Sequence, residues 1–103
     1  MRKAKVYNYG FPAGELQELK MKDEYKFIYF EDYEGKPVSL TMPVDKKEYS
    51  FNSFPPFFEG LLPEGVMLNN LLRTAKIDAD DYFSQLLYVG EDLIGSVQVE
   101  EIK

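Results

Sequence analysis

The chain has 103 residues, 45% apolar and 29% charged, with eight Tyr and eight Phe; this is material for one buried core, and residues 1–103 are expected to form a single domain. Twelve basic against eighteen acidic residues leave a net charge of −6, which opposes nucleic-acid binding by this chain alone. Neither Cys nor His occurs, which excludes disulfides, thiolate nucleophiles, thiolate-bound zinc and iron–sulfur clusters, and removes the commonest general base and metal ligand.

The first third reads as strands. Lys3 to Tyr9 alternates, with Ala4, Val6 and Asn8 on one face and Tyr7 and Tyr9 on the other. Turn chemistry follows at Gly10-Phe11-Pro12-Ala13-Gly14. Glu15 to Leu19 leads through a polar turn at Lys22-Asp23 into Tyr25-Lys26-Phe27-Ile28-Tyr29-Phe30, aromatic and β-branched, the strongest strand signal in the chain. Asp32 to Pro37 closes that run with another turn, and connections this short permit only an antiparallel meander. Val38 to Met42 is expected as a further short extended piece halted by Pro43, and Lys46 to Ser53 as irregular.

The period then changes from 2 to 3.6. From Glu64 to Ala75 the residues Met67, Leu68, Leu71, Leu72 and Ala75 form one helical stripe. A second helix is expected from Ala79 to Tyr88, capped by Asp78, with Asp81 near the positive end of its dipole. Tyr82, Phe83, Leu86 and Leu87 make its core face, and Gly90 is placed to end it. Asp92 to Val99 alternates as a last strand, with Val97 and Val99 inward. The expected architecture is α+β: a small antiparallel β-sheet with two α-helices packed on one face. The basic start Met1-Arg2-Lys3-Ala4-Lys5 leads into no apolar stretch, and no run reaches membrane-spanning length, so a cytoplasmic location is expected.

Signs of catalysis are few. Gly90-Glu91-Asp92-Leu93-Ile94-Gly95 has the glycine spacing of a phosphate loop, but Ser96-Val97 stands where Lys-Ser/Thr would reach the phosphates; a helix stop and strand-entry turn is the better account. Asp78, Asp80 and Asp81 lack the glycine and glutamate of a calcium loop and read as helix capping. No His activates any Ser, and Glu100-Glu101 reads as solvated. No catalytic residue, cofactor or metal is expected, and the chain does not read as an enzyme.

The unusual segment is Ser53 to Met67, with three prolines and three phenylalanines, a poor helix interior and a poor strand. Phe54, Phe57, Phe58, Leu61 and Leu62 are expected to cap the core. Pro63-Glu64-Gly65 should turn at the surface, so that Val66 and Met67 follow at a helix start, where adaptable apolar side chains on a rigid turn suit a contact with another protein.

Gly14-Glu15-Leu16, Tyr25-x-Phe27-x-Tyr29, Val38-Ser39-Leu40-x-Met42-Pro43, Phe57-Phe58-x-x-Leu61-Leu62-Pro63-Glu64-Gly65 and Leu86-Leu87-x-x-Gly90-x-Asp92-x-x-Gly95-x-Val97 follow one another over nearly the whole chain. This series resembles the N-terminal subdomain 1 of HipA-type serine/threonine kinases, and the run from Phe57 to Gly65 is its most specific part. None of the ATP-binding or catalytic-loop motifs of such a kinase is present. The resemblance extends to three-component systems in which this subdomain is a separate small protein, HipS, beside a shortened kinase toxin, HipT, and a helix-turn-helix protein, HipB.

What it implies is an antitoxin that binds and inhibits a HipT-like serine/threonine kinase, with a HipB-like DNA-binding protein joining a larger complex. The other reading left open is a non-inhibitory assembly module, or an excised N-terminal subdomain, of a HipA-type kinase–repressor complex. The opening Met1 and the strand-like finish at Ile102 lead us to expect a whole small protein. Taken with the turn, the resemblance places the expected partner contact on Pro63, Glu64, Gly65, Val66 and Met67, and on the exposed side of the following helix at Asn69, Asn70 and Arg73. No contact with nucleic acid or membrane is expected.

Overall fold

A computed structural model describes residues 1–93 and 95–103. It contains β1 (Arg2–Asn8), β2 (Phe11–Lys20), β3 (Glu24–Tyr29), β4 (Glu48–Phe51), α1 (Pro56–Glu59), α2 (Gly65–Ala75), α3 (Tyr82–Val89) and β5 (Val97–Ile102). The strands form one antiparallel sheet in the order β4-β3-β2-β1-β5, so the last strand lies against the first, with Lys3 opposite Ile102.

Alternation along the strands sends Ala4, Val6, Leu16, Tyr25, Phe27, Tyr29, Val97 and Val99 to one face, where all are buried. That face is covered by Phe58 of α1, Phe83 and Leu86 of α3, and Phe54 and Leu62 from the segments flanking α1, while α2 packs against α3. The core is largely aromatic. Tyr25 meets Phe54 edge-on at 5.3 Å and stacks on Phe83 at 6.5 Å, while Phe27 reaches Phe58 at 5.9 Å. Of the five apolar residues expected to cap the core, Phe54, Phe58 and Leu62 are buried, and Phe57 and Leu61 are packed against them half-buried.

The structure revises several local expectations. The first turn is only Tyr9-Gly10, since Asn8 pairs with Phe11 and β2 has begun by then. Val38 to Met42 is not a strand: the Tyr29 hydroxyl accepts the Val38 N–H and donates to the Met42 carbonyl, and Met42 N–H turns back to Ser39. Its backbone groups are satisfied by a side chain and a turn instead of a ladder. Glu48–Phe51, expected to be irregular, is β4, a four-residue edge strand whose Tyr49 and Phe51 face Phe27 and Tyr25. A third, short helix, α1, is added to the two expected. The last strand starts at Val97 and continues to Ile102; of the turn before it, Ile94 lies outside the described residues.

The N-cap of α3 is Asp81, not Asp78: its carboxylate accepts the Ser84 N–H at 3.3 Å. Arg2 accounts for the difference. Its guanidinium donates to both Glu18 carboxylate oxygens at 2.7 and 2.9 Å, to Asp81 at 2.9 Å and to the Ser84 hydroxyl at 2.6 Å, tying β1, β2 and α3 together. Asp78 and Asp80 instead pair with Lys22 at 3.8 and 3.1 Å.

Candidate functional site

Proline and glycine shape the surface that the sequence singles out. Pro63 follows the last core residue of the α1–α2 link, and Glu64 caps α2 in an extended conformation (φ −128°, ψ 163°) without a side-chain capping bond. Gly65 opens the helix at φ +60°, a conformation that strains any residue with a Cβ, although space around it is open. The chain thus enters α2 through a turn that glycine at position 65 makes easily. Its consequence is exposure: Val66 and Met67 leave 74% and 72% of their surface in solvent.

Met67 therefore does not join the core stripe, which is carried by buried Leu71 and half-buried Leu68, Leu72 and Ala75. Beside it lies a groove of about 750 Å³, walled by the α1–α2 link from Gly60 to Pro63, by Met67, Asn70, Leu71 and Thr74 of α2, and by Tyr88, Val89, Asp92 and Leu93 from the end of α3 onward. The eight expected contact residues divide accordingly. Pro63, Met67 and Asn70 line the groove. Val66, Asn69 and Arg73, spaced by three and four residues, form the adjoining exposed strip of α2, with Glu64 and Gly65 at its head.

The groove's far wall was not foreseen. Tyr88 falls off the Phe83, Leu86, Leu87 stripe of α3 and is exposed, which is the one signal in the sequence that could have marked it. Chemically this surface offers apolar area and a rim of amides, two carboxylates (Glu64 and Asp92) and one guanidinium. Among the described residues no group of three or more His, Cys, Asp or Glu side chains is arranged to hold a metal ion, and no helix is long and apolar enough to cross a membrane.

Residues 4–100 match the family model described as the HipA N-terminal domain. The chain belongs to the HipA N-terminal domain family. It is 35% identical over 103 residues to an uncharacterized protein of Haemophilus influenzae, an alignment that takes in all of this chain and 95% of that one. A solved structure, the N-terminal domain of HipA toxin, superposes with a TM-score of 0.78 at 30% identity, covering 100% of this chain and 94% of that one. These likenesses tie this HipA N-terminal domain to the HipA-related toxin–antitoxin modules, and they lie in the part of HipA that lacks the kinase domain.

Proposed function

We propose that the protein is a HipS-like antitoxin: a non-enzymatic, cytoplasmic inhibitor, acting as one domain over residues 1–103, that binds a HipT-like serine/threonine kinase and restrains it. A HipB-like DNA-binding protein joins the complex and supplies its contact with nucleic acid. The observation that carries this reading is the exposure of Val66 and Met67 on a turn stiffened by Pro63, next to an apolar groove. Apolar side chains that stay in water in the free protein have their surface to gain when a partner covers them. A turn with little freedom loses little entropy on docking. Val66 and Met67 then fill a recess on the kinase, Glu64 meets its basic residues, and Asn69, Asn70 and Arg73 form the polar rim.

Val66→Asp tests this with two readings on one variant. The free protein should keep its thermal midpoint, because the site is exposed and an acidic residue in the first turn of a helix suits the dipole. Binding to the co-expressed kinase should weaken by about 2–4 kcal/mol, since the new charge enters a desolvated contact, and growth rescue should fail. Full neutralisation by Val66→Asp would place the contact elsewhere. Co-purification of an active, uninhibited kinase with the parent protein would favour the assembly-module reading.

A further inference from the structure

A second recess opens where the β1–β2 turn meets the loop after β3. It measures about 630 Å³ and is lined by Asn8, Tyr9, Phe11 and Pro12 of the hairpin and by residues 32–36 of the loop. Two features there converge on one ligand chemistry. First, Tyr9 and Phe11 leave 65% and 68% of their surface in solvent, two aromatic rings that the core does not use. Tyr9 is also held at φ +52°, with Gly10 at φ +82°, a turn that Asn-Gly makes without strain and that strains a bulky residue. The fold alone gives no reason for a tyrosine there.

Second, Asp32 and Glu34 present exposed carboxylates that form no ion pair among the described residues, with Lys36 the one cation among the lining residues. Asn8, only 2% exposed, ties the loop to β1 beneath the recess: its Nδ2 donates to the Tyr33 hydroxyl at 3.1 Å and to the Lys36 carbonyl at 3.0 Å.

We propose that this recess receives an arginine side chain carried by a protein partner. A guanidinium is the one common side-chain group that answers both features. It stacks on aromatic faces and pairs with carboxylates as a planar fork. A lysine ammonium has the charge but no plane to stack. The site shares no residue with the proposed α2 contact and does not depend on it.

The test is a nuclear magnetic resonance titration of the whole protein with a blocked glycine peptide bearing one central arginine. The same peptide with citrulline or lysine in its place, and free arginine, serve as comparisons. The arginine peptide should shift the Tyr9 and Phe11 resonances saturably, and the citrulline and lysine peptides should bind at least about threefold more weakly. Tyr9→Asn should raise the thermal midpoint while weakening the arginine peptide by about threefold or more. Asp32→Asn combined with Glu34→Gln should weaken it without moving the midpoint. No saturable shift, equal binding of the citrulline peptide, or a lower midpoint in Tyr9→Asn would overturn the assignment. Free arginine binding as tightly as the blocked peptide would overturn its source in a protein.

Discussion

Arg2 is a terminal-strand residue that behaves as a core residue. Its guanidinium lies 5.0 Å from the Phe83 ring centre while bonding to Glu18 and Asp81. Burial pushes the Glu18 carboxyl up, but hydrogen bonds from Arg2, the Lys22 N–H and Tyr25 outweigh it, and the group sits below its ordinary range. Asp81 follows the same balance, burial against Arg2 and Ser84, with the same net direction. Groups with lowered folded-state values add stability that is present above the unfolded carboxylate range, about pH 4, and is lost as pH falls through the folded values. The parent protein, which has no His, should therefore hold a level thermal midpoint from about pH 8 to 5 and lose stability below about pH 4. Arg2→Leu removes the one charged partner of both carboxylates, so that only the Lys22 N–H and Tyr25 hydroxyl at Glu18 and the Ser84 groups at Asp81 oppose burial, and both should rise. It should cost about 3 kcal/mol at neutral pH, and its midpoint should climb as pH falls from 7 toward 5. Thermal melts across that range distinguish the two profiles, and a variant profile parallel to the parent's would show that Arg2 does not hold these groups ionised.

At the scale of elements, two glycines at helix ends separate conformational need from space. Gly60 and Gly90 both have right-handed helical angles, so neither is the left-handed stop that the sequence pattern suggests for Gly90. A Cβ on Gly60 meets nothing nearer than 3.5 Å, whereas one on Gly90 would overlap the Val99 carbonyl oxygen, because Val99 N–H donates to the Gly90 carbonyl at 2.9 Å and draws β5 against α3. Gly60→Ala should stabilise by about 0.5 kcal/mol, and Gly90→Ala should cost at least about 2 kcal/mol. Phe83→Ala, which empties a fully buried position, should cost about 3–5 kcal/mol. Urea midpoints read all three. The elements legible in the sequence were those with a long apolar period: β1, β3, α2 and the core face of α3. β4 escaped because four edge residues show too little alternation, and the α3 cap was misplaced because the deciding partner, Arg2, lies 79 residues away. At the candidate site the turn and its exposed pair were legible, while the groove beside them is assembled by α3 and could not be read locally.

For the whole molecule, the net charge of −6 sets what it does alone. The open face of the sheet is tiled with opposite charges, Lys3 near Glu15 at 4.0 Å and Lys26 near Glu48 at 3.7 Å, so no basic stripe is left there to follow a phosphate backbone. The isolated protein should give no sequence-dependent gel shift at physiological salt. A shift should return only when a basic subunit is added, and a specific shift by the protein alone would contradict this.

The placement of β5 against β1 also orders events in time. On the ribosome, β1, β2 and β3 emerge early and can pair as a meander, yet the outer edge of β1 stays open until residues 97–102 have been made. An open edge invites other chains, and a sheet without β5 leaves Val6 without its neighbour Val99. Closure of the sheet is therefore a late event, and it waits on the pairing of β5 with β1.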